Sequence, residues 1–375
     1  MRWLFWGGVL VVAYAYVGYL GWLWLRSRLR PLPVRREECF PKVSVVMVVR
    51  NEESVLERKL ANLASLDYPA DKLEIVVVSD GSTDGTTRIL TEKNRQDGRF
   101  HVIISPEARG KASGLNDALN AVGGEIVVFT DARQEIEAGA IRLLMENFAD
   151  PTVGCVSGEL MLGDPHSGET AMGMGLYWRV EKRIRELEAQ SGSGVGATGA
   201  LYAMRRSLVV PIPSETILDD VYLPMNAARQ GTRVIFEARA RAWDTPDLGG
   251  TREFSRKVRT LNGNYQLLQL APWLLTAKNP IRFEFVSHKL LRLAVPFALV
   301  LILVTSCFLD GPVYRLALLL QLIFYGLSWL AMIRMVPRGP LARAAEAAST
   351  FVILNTAAAV AFANFVAGRK GVWVR

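Results

Sequence analysis

The sequence predicts a mainly parallel, doubly wound α/β domain flanked at both ends by membrane-spanning helices. Three observations carry that expectation. Short β-branched runs alternate with helical patterns through the middle of the chain. Long apolar runs almost free of charge lie toward both ends. Polar clusters recur where the strand patterns stop, the edge at which sheets of this kind bind ligands.

Residues Trp3 to Leu25 carry no charge and would span roughly 35 Å as a helix, enough for a hydrocarbon core of about 30 Å. Trp3, Trp6, Trp22 and Trp24 sit near its ends, where indoles favour the interface. A signal peptide is the competing reading, but the run is long for an h-region and only Arg2 precedes it. Arg26, Arg28, Arg30, Arg35 and Arg36 follow. By the positive-inside rule this flank is cytosolic. We therefore divide the start of the chain into a transmembrane helix over 1–25 and a basic linker over 26–42.

The α/β domain is expected over 43–262. VSVVMVV (43–49), LEIVVVSD (73–80), FHVIIS (100–105) and EIVVFT (125–130) read as strands. Helical patterns over 52–66, 84–95 and 111–122 separate them. Beyond the domain, Tyr265 to Thr276 is apolar but too short to cross and is interrupted by Pro272. It reads as part of an interfacial amphipathic segment over 263–285, with a buried core helix as the alternative.

The membrane region over 286–375 offers about three spans, Leu290–Leu309, Ala317–Ile333 and Ala347–Val366. Asp310-Gly311-Pro312 makes the first link a turn, and Arg334, Arg338 and Arg343 mark the second as cytosolic. Arg369, Lys370 and Arg375 follow the last segment. Either that segment is re-entrant or interfacial, or the charge rule fails there; four spans in all are expected.

Composition narrows the function classes. Half the residues are hydrophobic and the formal net charge is +8, with a mean hydropathy of +0.19. The arginines adjoin the apolar segments, so anionic lipid headgroups are the expected partner and not nucleic acid. Three scattered cysteines and three histidines offer neither a disulfide framework nor an all-histidine zinc site.

Candidate site residues gather at strand ends. Arg50-Asn51-Glu52 follows the first strand, Asp80 ends the second and Asp131 follows the fourth. Two strand-end carboxylates converging on one crevice suit a ribose, a metal or a diphosphate. Lys111 opens a helix against the helix dipole, so it is placed for something other than helix stability, such as a phosphate or a nucleobase carbonyl. Asp219 and Asp220 begin another helix, where capping is the ordinary role and general base the catalytic one. The glycine-rich stretch 190–206 lacks a P-loop lysine and reads as a flexible acceptor-side loop that includes Gly199 and Ala200. Arg256, Lys257 and Arg259 suit lipid phosphates or a diphosphate.

The ordered set of these residues, from Val43 to Gln266, resembles the membrane-bound family 2 glycosyltransferases of GT-A fold, the synthases of cellulose, chitin, hyaluronan and poly-N-acetylglucosamine. The resemblance implies that Arg50, Asn51, Glu52, Asp80, Lys111 and Asp131 hold the nucleotide of a nucleotide-sugar, a UDP-sugar first among them. Asp131 would be the first residue of DxD, beside Mg2+ or Mn2+. Asp220, with Asp219 beside it, would deprotonate the acceptor hydroxyl, and Arg259, with Arg256 and Arg133, would stabilise the departing diphosphate. The implied reaction is an inverting transfer to a glycan or lipid acceptor at the cytosolic face of the plasma (inner) membrane. DxD reads Asp131-Ala132-Arg133 here, and QxxRW reads Arg256-Lys257-Val258-Arg259-Thr260. Those departures keep a second class in view, a non-catalytic membrane receptor for a nucleotide or glycan.

Overall fold

A computed structural model describes residues 1–164, 176–245, 250–333, 335, 336 and 339–369. Its centre is a mixed sheet of eight strands: β1 (Val43–Val49), β2 (Leu73–Asp80), β3 (Phe100–Ser105), β4 (Ile126–Phe129), β5 (Glu135–Ile136), β6 (Val153–Leu162), β7 (Tyr202–Arg205) and β8 (Arg233–Asp244), in the order β3-β2-β1-β4-β7-β6-β8-β5. All seven residues of β1 are buried, as its β-branched composition requires of a strand covered on both faces. The expected parallel arrangement holds across β3-β2-β1-β4. Beyond β4 the sheet becomes mixed. β7 runs antiparallel to both β4 and β6, β8 runs parallel to β6, and β5 closes the far edge antiparallel to β8. The register Phe129↔Tyr202 sets the carboxyl end of β4 beside the amino end of β7, so the glycine-rich loop abuts Asp131.

Helix α1 (Arg2–Leu29) is the N-terminal apolar helix. The domain helices are α2 (Glu53–Ala64), α3 (Thr86–Gln96), α4 (Lys111–Ala121), α5 (Ala140–Glu146), α6 (Leu176–Ser191), α7 (Asp219–Arg229) and α8 (Gly250–Leu270). They cover both sheet faces. Val45 and Met47 of β1 pack with Leu56, Leu60 and Leu63 of α2. Val46 and Val48 point the other way, into a second cluster with Leu115 of α4, Leu223 of α7 and Leu267 of α8. A short 3-10 turn over Pro272–Leu275 follows α8. Leu267, Ala271 and Leu274 are buried in that second cluster, which gives the Tyr265–Thr276 segment an inward-facing side.

Three further helices, α9 (Arg282–Phe308), α10 (Pro312–Met332) and α11 (Pro340–Val366), complete four that are long and apolar enough to cross a membrane. Phe5 of α1 meets Tyr314 of α10 edge-on at 4.9 Å, and a Cβ on Gly8 would meet Ile302 of α9. Tyr14 and Ser287 share a hydrogen bond of 2.9 Å. These contacts fix one end of the bundle at residues 5–8, 302 and 314 and the other at 14–26 and 284–292. α11 packs along α8, where Tyr265 meets Phe362 at 5.7 Å and Phe365 at 5.3 Å.

The basic linker lies against the domain. Leu32 donates its backbone N–H to Gln190 at 2.7 Å, Arg26 pairs with Glu284, and Arg36 pairs with buried Glu237 at 3.4 Å. Arg334, Arg338, Lys370 and Arg375 lie outside the described residues.

Candidate active site

Four chain segments meet at the carboxyl end of β4. Lys111, the first residue of α4, places its Nζ 2.9 Å from Asp131 Oδ1 and 3.2 Å from Asp219 Oδ1. Burial opposes its charge, but the Asp131 and Asp219 carboxylates outweigh that and hold the ammonium above the ordinary lysine range. Asp219 and Asp220 open α7, where exposed backbone N–H groups favour negative charge. Asp220 accepts the Gly199 N–H on Oδ2 at 3.1 Å. Burial, then the neighbouring Asp219, pushes its carboxyl up to about 6, with Lys111 pulling the other way. Arg256 and Arg259 of α8 close the site from above. That approach depends on Gly263, because a Cβ there would lie 2.6 Å from Leu218 Cγ in the segment leading to Asp219.

Together these groups line a cavity of about 320 Å³ that also takes in Arg50, Glu52, Arg133, Gly199 and Asp244. Burial raises the Glu52 carboxyl; Arg133 draws it back, and the Asp131 charge adds to the rise. Arg133 reaches Asp244 at 3.3 Å, and Gln134 donates to the same carboxylate at 3.1 Å.

Not every residue singled out in the sequence faces this cavity. Asp80 is buried, and its two oxygens accept the backbone N–H groups of Arg109 at 2.8 Å and Gly110 at 2.9 Å. It therefore fixes the loop that delivers Lys111. Asn51 takes a left-handed backbone with φ 55° and accepts the Thr83 N–H on Oδ1 at 2.8 Å, tying the β1 and β2 loops together. Ala200 contributes a backbone carbonyl that accepts the Thr130 hydroxyl at 2.9 Å.

Two residues of the site escape the sequence reading. Asp244 ends β8, a strand the sequence does not announce. Lys59 lies on the buried side of α2 and donates to Thr130 Oγ1 at 2.9 Å and the Gln134 carbonyl at 2.6 Å, bracing the Asp131 loop from below. Burial drops its ammonium to about 7. A signal for it is present: a lysine in the stripe of Leu56, Leu60 and Leu63.

Among the described residues, no group of three or more His, Cys, Asp or Glu side chains is arranged to hold a metal. Asp131 offers one half-exposed carboxylate. Such a donor set fits a divalent ion of the kind bound by one or two carboxylates together with substrate phosphates.

A mixed sheet with acids at its strand ends and a basic helix across its carboxyl edge is a GT-A-like fold. Residues 44–210 match the family model described as Glycosyl transferase family 2, so this stretch of the chain is a domain similar to that family. It is 25% identical over 232 residues to poly-beta-1,6-N-acetyl-D-glucosamine synthase of Staphylococcus aureus, a match that covers 60% of this chain and 55% of that protein. It is 28% identical over 190 residues to beta-monoglucosyldiacylglycerol synthase of Synechocystis sp., 49% of this chain and 40% of the relative. The chain thus spans about half the length of the curated relatives it matches. Among solved structures, a mannosyltransferase from Pyrobaculum calidifontis, in complex with GDP-Man and Mn2+, shares the fold with a TM-score of 0.76 at 23% identity, covering 98% of this chain and 99% of that one.

Proposed function

We propose that the chain is an inverting glycosyltransferase that moves a sugar from a nucleotide-sugar to an acceptor hydroxyl at a membrane surface. The observation that supports it most directly is the cavity shared by Asp220, Asp131, Lys111 and Arg259. A half-buried carboxyl with a raised pKa shares a space large enough for a sugar diphosphate with Arg50, Lys111, Arg133, Arg256 and Arg259. In this reading Lys111, Arg256, Arg259 and Arg133 face the donor diphosphate, and Arg50 and Glu52 lie toward the nucleoside. Asp220 takes the proton of the acceptor hydroxyl as its oxygen bonds to the anomeric carbon. The bond from that carbon to the diphosphate oxygen breaks on the opposite side, and the nucleoside diphosphate leaves with the electron pair. Asp131 would hold a divalent ion, which supplies charge neutralisation at the diphosphate when bound.

The arginines after α1 support a domain on the cytosolic side of its membrane, which in this reading is the plasma (inner) membrane. Release of nucleoside diphosphate by the full chain in lipid nanodiscs tests the reading, across UDP- and GDP-sugars with Mg2+, Mn2+ or EDTA. Donor-selective release that Asp220→Asn abolishes supports it. Nucleotide binding without turnover of any donor overturns it in favour of the receptor reading, which the altered DxD and QxxRW segments motivate.

A further inference from the structure

A second cavity, of about 410 Å³, opens beside the first and shares Lys111, Ile217 and Arg259 with it. Its outer wall brings together Arg109, Leu270 of α8, Phe365 of α11 and Arg369. Resting on the glycosyltransferase reading, we propose that this cavity is the acceptor site, and that it takes a lipid whose headgroup carries both a phosphate and a free hydroxyl.

Charge is the first argument. Arg109, Lys111, Arg259 and Arg369 line the cavity against a single carboxylate, Glu215, among the described residues. Arg109 is tied to Asp117 and Lys111 to Asp131 and Asp219. Among the described residues Arg369, on the membrane side, has no carboxylate within ion-pair reach. A neutral acceptor would leave this wall poorly matched; a phosphate matches it, since arginine bonds two phosphate oxygens at once.

Position is the second argument. The contacts of Phe5 and Gly8 place the α9–α10 turn at the far end of the bundle, so α10 returns toward the domain. It ends at Met332, and α11 begins a short link later at Pro340, on the side to which α10 has returned. The other end of α11 reaches the cavity through Phe365, beside Lys111 and Arg259. Both ends of α11 therefore lie on the domain side, with the helix stretched along α8 as a roof. A lipid can enter beneath that roof with its chains along Leu270 and Phe365 and its phosphate on Arg369. Its headgroup hydroxyl then points past Arg259 toward Asp220, which receives the proton as the oxygen–carbon bond forms and the nucleoside diphosphate departs.

The test uses the full chain in phosphatidylcholine nanodiscs containing phosphatidylglycerol, diacylglycerol or phosphatidic acid, with glycerophosphoglycerol as the chain-free headgroup. Lipid retention is read by native mass spectrometry, and transfer and donor hydrolysis are read separately. Phosphatidylglycerol should be retained about tenfold over phosphatidylcholine and should accept sugar. Arg369→Glu should raise the KM for that lipid at least about tenfold, leaving donor hydrolysis and donor KM unchanged, while Arg369→Lys should retain most of the affinity. Equal retention of all lipids, or a preference that survives Arg369→Glu, overturns the proposal. So does transfer to diacylglycerol as readily as to phosphatidylglycerol, and equal use of glycerophosphoglycerol overturns the lipid part. Donor hydrolysis without transfer to any lipid overturns the acceptor role alone. Absence of any donor turnover sinks the enzyme reading, and the acceptor role with it.

Discussion

The backbone N–H of Gly199 donates to Asp220 Oδ2 at 3.1 Å, and a Cβ on that glycine would lie 3.3 Å from the same oxygen and 3.5 Å from Asp131 Oδ2. The glycine thus sets how closely the two acids approach. Gly199→Ala should fold normally and lose roughly tenfold to a hundredfold in kcat, because small misplacements of reacting groups are costly. Steady-state kinetics alongside thermal unfolding checks this; full activity in a normally folded variant would show that the spacing has slack.

Asp220→Asn keeps the shape and removes the base. Transfer should fall at least about a hundredfold. In the unsubstituted protein the carboxylate form is the active one, and its carboxyl lies at about 6. Hence the acid limb of kcat/KM should fall with decreasing pH below about 6 and level off above it. A flat profile from about pH 5 to 8 would remove Asp220 from the role.

Lys111 holds the Asp220 carboxyl down, while Asp219 and Asp131 push it up. Lys111→Met should therefore move the same limb to higher pH, by about a unit or more, and weaken donor binding. A limb that stays in place while donor affinity drops would confine Lys111 to the diphosphate.

His288 faces Glu188 through Nδ1 at 2.9 Å and Glu181 through Nε2 at 3.0 Å. Both acids are buried on α6, and Tyr19 of α1 donates to Glu188 at 2.7 Å. His288→Leu leaves carboxylates short of a partner, a change worth about 3 kcal/mol when a buried pair is broken. The melting temperature in detergent should fall, with Asp220→Asn as an unaffected control.

The placement of α11 has its own check. Arg369→Cys in a background lacking Cys39 should react with a membrane-impermeant maleimide from the side that bears the domain, whereas Cys307, near the end of α9, should react from the other. Labelling of both from one side would place them together and reverse the reading of the last helix.

The parallel half of the sheet is legible because each of its strands is a dense β-branched run, and β1, β2 and β3 have the bounds their sequences suggest. Lys111, Asp131, Asp219, Asp220 and Arg259 are also legible, and the structure gathers them in one cavity. The mixed half is not. β8 reads RVIFEARARAWD, an alternation with charges on one face, and its pairing depends on partners about eighty residues away in the chain. Asp80 and Asn51 stand out for a ligand, yet their side chains are engaged by backbone N–H groups of neighbouring loops, a use that only the loops' mutual placement discloses. Lys59 is hidden for the opposite reason, since a lysine within a helix ordinarily reaches solvent.

The junction built from Tyr19, Glu181, Glu188, Arg26, Glu284 and His288 means that separating catalyst from anchor would expose or strand buried charged groups. Releasing the domain as a water-soluble fragment would require neutralising Glu181 and Glu188 at the same time. Grafting it onto a foreign anchor would require that anchor to bring its own histidine and arginine to the same depth.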